Sequence, residues 1–199
     1  MSKFVSKIFY LYFTLISSLY GLTTSIIVPC YPGHAKYIPA LIEYYNNQTV
    51  LPDEMIFSFS EAWKITDEER CAIVNAQPKF SINLIIFEEV KYAGQNRRAA
   101  CDIAMGDLLL CQDADDIPHP QRVEIIKKTF ENNQIDLLLH RWKPSGDNKF
   151  MEQKYQSKRI FLYQIKHWKR HQFIDYIHYG NVCIRRGVLD KVTWSDMKN

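Results

Sequence analysis

The stretch GDLLLCQDADDIPHP, Gly106 to Pro120, runs an apolar segment straight into three aspartates. Four apolar residues in succession, Leu108 to Cys111, leave neither face for water and read as a buried strand. Carboxylates at close range repel one another and are expensive to bury without partners. Asp116 can cap a helix that begins near Pro118 or Pro120, which leaves Asp113 and Asp115 unexplained. Residues i and i+2 of an extended segment project to the same side, so those two can share a target. Two carboxylates suit a hard divalent cation, Mn²⁺ or Mg²⁺.

The flanking sequence supplies the strand's company. Upstream, TSIIVP (Thr24–Pro29) reads as a buried strand stopped by proline. A helix follows with Ile38, Leu41, Ile42 and Tyr45 in register and Pro39 in its first turn. EMIFSF (Glu54–Phe59) is a second strand, and Thr66 is the N-cap of a helix reaching Asn75. INLIIF (Ile82–Phe87) is a third strand. A helix over Gln95–Met105 then ends with Gly106 at its C′ position. Downstream, Pro120–Asn133 is helical and DLLLH (Asp136–His140) is a fifth strand. The order implies an α/β fold with a mainly parallel central sheet flanked by helices. In such sheets ligands bind beyond the carboxyl ends of the strands, where the aspartates lie.

A chain of 199 residues accommodates one domain with a substantial core. The formal charge of +3 gives no reason to expect nucleic acid as a partner. The five cysteines form no CxxC pair, which argues against a structural zinc site and a dense disulfide framework. Lys3 and Lys7 precede IFYLYFTLISSLYGL (Ile8–Leu22), an uncharged run of signal-peptide or short signal-anchor character. Residues 1–23 are therefore expected to target the chain to the secretory route (ER or Golgi lumen or membrane, or secretion), with possible membrane association through this end. The folded domain is expected over 24–199. Asn47-Gln48-Thr49 is an N-glycosylation sequon, in keeping with that route.

The segment CDIAMGDLLLCQDADDIPHPQRVEII (Cys101–Ile126) resembles the central motif of family 2 glycosyltransferases, which have the GT-A (nucleotide-diphosphosugar transferase-like) fold. Arg97 falls on the arginine of that family's ARN-x-G helix, Ala104 and Gly106 on its Ala-x-Gly, and Asp113-Ala114-Asp115 on its Asp-x-Asp. SIIVPCYPGHAKYIPALIEYYNNQ (Ser25–Gln48) is similar to the family's first strand and helix. HYGNVCIRRGVLDKVTW (His178–Trp194) is similar to its acceptor-side G-N-x-x-x-R-R segment.

The resemblance implies metal-dependent, inverting transfer of a sugar from a nucleotide diphosphosugar, UDP-linked by expectation, to a hydroxyl of a glycan, protein or lipid. It implies Mn²⁺ or Mg²⁺ at Asp113 and Asp115, with Pro29, Tyr31 and Arg97 beside the nucleotide sugar. This sequence departs from the family at several positions, among them Arg98 for the usual asparagine and Ala100 for the glycine. Phe59 and Ser60 stand where an aspartate reads the base, leaving Glu61 as the nearest substitute. The family's general base, the Asp of a Glu-Asp pair, has no counterpart in TWSDMKN (Thr193–Asn199). Asp196 and His178 are the candidates for that role, and His140 is a further base or metal ligand. The alternative is a truncated relative that binds nucleotide sugar and metal without efficient transfer. A nucleotidyltransferase is disfavoured, because PCYPGHAKY (Pro29–Tyr37) is not a glycine-rich phosphate-binding loop.

Overall fold

The computed structural model describes residues 21–140 and 179–191. Strands β1 (Thr24–Cys30), β2 (Glu54–Phe59), β3 (Ser81–Ile86), β4 (Leu108–Cys111), β5 (Leu137–Leu139) and β6 (Val182–Arg185) form one six-stranded sheet in the order β3-β2-β1-β4-β6-β5. The first four run parallel, while β6 is antiparallel to both β4 and β5. Among the described residues four α-helices flank the sheet: α1 (Ile38–Asn46), α2 (Asp67–Asn75), α3 (Ala93–Ile103) and α4 (Arg122–Asn132).

Alternation along the central strands divides the core in two. Ile26, Val28, Met55, Phe57, Leu108 and Leu110 face α1 and α4, meeting Ile38, Leu41, Ile42, Tyr45, Val123, Ile126 and Phe130. Ile27, Ile56, Leu109 and Ile184 face the other way, onto Ala100 and Cys101 of α3. The helical spacing read in α1 is thus the spacing of buried residues, and α4 likewise buries Val123, Ile126 and Phe130 at that spacing. Helix α2 buries none of its residues and rests on its cap. The Thr66 hydroxyl accepts from the Glu69 N–H, and the Glu69 carboxylate accepts from the Thr66 N–H.

Several expectations change. Strand β1 continues through Pro29 to Cys30 rather than stopping at the proline. The Ile27 carbonyl accepts from Gln112 N–H on the β4 side and the Cys30 carbonyl accepts from Ser60 N–H on the β2 side. By that alternation, the N–H that Pro29 lacks would point past the end of β4, where no ladder partner exists. Helix α3 ends at Ile103, and its C-cap is Ala104 in an extended conformation. Gly106 is therefore not a helix C′ residue; it is a close-approach position, since a Cβ there would lie 2.6 Å from Ser25 Oγ and 2.7 Å from Ser25 N. At the β3 edge of the sheet, Leu84 and Ile86 are more than half exposed among the described residues.

Candidate active site

The carboxyl ends of β1, β2 and β4 open onto one edge of the sheet, and most of the residues singled out from the sequence gather there. Asp113 follows the last residue of β4 by two positions. The segment Asp113–Asp116 is a turn, closed by Asp116 N–H donating to the Asp113 carbonyl at 3.2 Å, not the extended run the i, i+2 argument assumed. Buried Gln112 fixes this turn from inside, its Nε2 donating to the carbonyls of Asp113 (2.8 Å) and Asp116 (3.0 Å). Asp116 is not the N-cap of α4, which starts at Arg122 with Gln121 as its N-cap.

Arg97 lies on the sheet-facing stripe of α3 with Asn96, Ala100 and Cys101. Its Nη2 donates to Asp113 Oδ1 at 2.5 Å, and the two side chains are 8% and 22% exposed. Arg97 thus pairs with the Asp-x-Asp motif itself. One of the two crowded carboxylates is thereby neutralised, while Asp115 stands exposed in the turn. Gly180 closes the far side: a Cβ there would sit 3.1 Å from Asp113 Oδ2.

The β1 loop forms the opposite wall. Buried Asn96 ties it down, donating to the Cys30 carbonyl and accepting from Ser58 Oγ, both at 3.1 Å. Tyr31 is 53% exposed at the mouth, with its ring centroid 4.1 Å from that of His34. Burial lowers the His34 pKa, opposed by the charge of Asp115, the Pro29 carbonyl and the charge of Asp113. Burial also pushes the Cys30 thiol well up, and the charge of Asp113 adds to the effect. Cys30 is therefore a neutral wall residue, not an activated nucleophile. Glu61 follows β2 in the left-handed region, φ 51°, and its carboxylate pairs with Lys64.

Beneath the turn lies a buried cation that the sequence reading passed over as an ordinary helical residue. Arg122 donates to the Cys111 carbonyl (2.6 Å), the Gly180 carbonyl (3.2 Å), the Tyr45 hydroxyl (2.8 Å) and His140 Nε2 (3.2 Å). His140, read as a possible base or metal ligand, serves here as an acceptor for Arg122. Asn96, Gln112 and His34 were missed as well. The only signal for Asn96 and Arg122 was a polar residue falling on a helix's apolar stripe.

Pro29, Tyr31, Glu61, Arg97, Asp113 and Asp115 thus share one edge, whereas His178 and Asp196 lie outside the described residues. No cluster of three or more potential metal-binding side chains occurs among the described residues. The donor set is a pair of carboxylate oxygens in a half-open turn. It fits a hard divalent ion that takes its remaining ligands from a bound substrate or water.

Residues 25–193 match the profile of Glycosyl transferase family 2. The chain belongs to that family. An uncharacterised glycosyltransferase of Methanocaldococcus jannaschii is 29% identical over 150 residues, which cover 71% of this chain and 51% of the relative. The chain thus spans about half the length of that relative. Among solved structures, residues 1–349 of S. aureus TarS in complex with UDP-GlcNAc superpose with a TM-score of 0.62 at 19% identity, covering 85% of this chain and 47% of that one. Glucosyl-3-phosphoglycerate synthase from Mycobacterium tuberculosis, in complex with Mn²⁺, UDP and glucosyl-3-phosphoglycerate, gives 0.56 at 16% identity, covering 85% and 58%. The fold is GT-A, as family membership and the superposition on these solved structures show.

Proposed function

We propose that this family 2 domain binds a nucleotide diphosphosugar, UDP-linked, with Mn²⁺ or Mg²⁺, and transfers the sugar with inversion to a hydroxyl of a glycan, protein or lipid. The observation that carries this reading is the Asp113–Asp116 turn at the carboxyl end of β4, with Arg97 on Asp113 and Asp115 exposed beside it. Crystals of two GT-A relatives hold Mn²⁺ with UDP or GDP-mannose, which supports the same donor chemistry here. A divalent ion bound at the turn would stabilise the charge that builds on the departing diphosphate.

The rest falls to the chain's own residues. Asp113 and Asp115 would hold the ion and Arg97 keeps Asp113 oriented, while Tyr31, Pro29 and Glu61 would flank the nucleoside. The acceptor oxygen forms the new bond to the anomeric carbon as the bond to diphosphate breaks, and its proton passes to a base. Asp196 and His178 are the proposed bases, a role typically worth 10²–10⁴-fold in rate. Without a competent base, the same site binds donor and metal and transfers poorly, which is the second reading. The Lys3, Lys7 and Ile8–Leu22 pattern supports the secretory or membrane-associated location.

Calorimetry with UDP in the presence and absence of Mn²⁺ tests the reading. Binding should require the metal and disappear in the Asp113→Asn/Asp115→Asn double variant; binding that persists there overturns it. Loss of transfer with intact UDP binding in Asp196→Asn or His178→Gln identifies the base.

A further inference from the structure

The His34 side chain has an atom without an account. Its Nδ1 is buried and has no hydrogen-bond partner, one of few such atoms among the described residues. A buried polar atom left unsatisfied is destabilising, so native structures seldom leave one without a ligand, water or functional reason. A neutral imidazole carries one N–H and one acceptor nitrogen. Burial favours that neutral form, and the Pro29 carbonyl attracts the N–H, which leaves Nδ1 as the acceptor.

Position says what Nδ1 could accept from. The strand order places β1 between β2 and β4, and Ile27 pairs with Cys111 across the ladder. The loop after β1 therefore lies between the Asp113–Asp116 turn and Glu61, which follows β2. With diphosphate at the turn and the base toward Glu61, the group that joins them over the β1 loop is the ribose. It carries vicinal hydroxyls, and a hydroxyl donates to an imidazole nitrogen. Tyr31, half exposed and with its ring tilted 60° against the imidazole, is the neighbour whose rotation would bring the ligand to that edge. That ring contact depends on Gly33, where a Cβ would lie 2.6 Å from Tyr31 Cε2.

We propose that His34 Nδ1 accepts a hydrogen bond from a ribose hydroxyl of the donor nucleotide, making His34 a donor-recognition residue that reads the sugar of the nucleoside. The inference rests on the donor-binding reading above, and one set of titrations separates the two.

UDP, 2′-deoxy-UDP and 3′-deoxy-UDP are titrated by calorimetry with Mn²⁺ into the wild-type chain and into His34→Ala and His34→Asn. Wild type should bind one of the deoxy analogues about tenfold more weakly than UDP, the scale of one hydrogen bond. His34→Ala should bind UDP about as weakly as wild type binds that analogue, while its affinity for the analogue stays unchanged. His34→Asn, whose amide oxygen can accept, should retain part of the preference. Equal affinity of wild type for all three ligands overturns the proposal, and this measurement needs no variant. So does a His34→Ala variant that loses affinity equally for all three, which would move the contact to the base or the phosphates. If wild type binds no nucleoside diphosphate at all, the donor-binding reading itself has failed.

Discussion

At the scale of single residues, the site stands on Arg122. A guanidinium buried at the junction of α4, α1 and β4 would be costly, but four of its N–H donors reach two carbonyls, a phenol and an imidazole. Burial pushes the Tyr45 phenol to about 12, so it stays neutral and accepts from the cation while donating to Gln112 Oε1. The Cys111 and Gly180 carbonyls, on either side of Asp113, are held by one side chain. Arg122→Met should therefore destabilise the domain by about 2–4 kcal/mol in urea denaturation, because several buried acceptors lose their donor together. Arg122→Lys should recover only part of it, since an ammonium lacks the planar fork. A loss under 1 kcal/mol for Arg122→Met would mean that water replaces the guanidinium. Glu61 makes the opposite case. A non-glycine residue at φ 51° costs about 1–2 kcal/mol in backbone sterics, and its exposed pair with Lys64 offsets little of that. Glu61→Gly should be neutral or slightly stabilising by thermal melt and Glu61→Val clearly destabilising; the reverse order would refute the strain.

At the scale of elements, what the sequence made legible was whatever depended on local periodicity. Strands β1, β2 and β4 each carry a local apolar run (Ile26–Val28, Met55–Phe57 and Leu108–Cys111), and α1 and α4 carry apolar residues at helical spacing, so each could be read without its neighbours. The Thr66 cap could be read for the same reason, being a contact three residues long. Elements defined by distant partners could not. Strand β6 is four residues, Val182–Arg185, with no alternation of its own, and it exists because β4 and β5 lie on either side of it. The turn at Asp113 depends on Gln112 folding back beneath it, which no spacing rule shows. Gly106 was legible as a glycine required by the backbone, but for the wrong reason. Its N–H donates to Ser25 Oγ, whose hydroxyl donates to buried Glu54, and the same Glu54 oxygen accepts from Met105 N–H at 2.6 Å. This polar knot pins the α3–β4 connection to the amino ends of β1 and β2, opposite the site. Gly106→Ala drives a methyl against Ser25 N and Thr24 C, backbone atoms that cannot step aside. The expected loss is about 1–3 kcal/mol, with donor affinity little changed in the fraction that stays folded. A fully stable Gly106→Ala chain would show that the β1 backbone can shift to accommodate it.

At the scale of the whole molecule, the five cysteines measure how completely the described fold excludes solvent. All are free; Cys30, Cys101, Cys111 and Cys183 are buried and Cys71 is exposed. Burial raises the Cys111 thiol to about 11 and the Cys183 thiol to about 12, and it pushes Cys30 and Cys101 up as well. The thiolate is the reactive form, so at pH 8 a thiol at about 11 is ionised to roughly one part in a thousand, before its inaccessibility is counted. Native protein treated with a thiol reagent at pH 8 should therefore modify Cys71 quickly and the other four only as fast as the fold opens. Unfolded protein should modify all five at one rate. The same measurement tests the proposed targeting role of the N-terminal run. Thr23 is bound to the Asp107 carboxylate through both its N–H (2.9 Å) and its hydroxyl (2.8 Å), and Leu22 packs against the core. A chain beginning at Gly21 keeps those contacts and should keep four protected thiols with a cooperative melt. Should the buried thiols become reactive in that shorter chain, residues 1–20 contribute to the core and the targeting role is wrong. If only Cys30 gains reactivity, the fault lies in the β1 loop. Metal and UDP should then restore its protection, because the donor would rest on that loop beside Asp113.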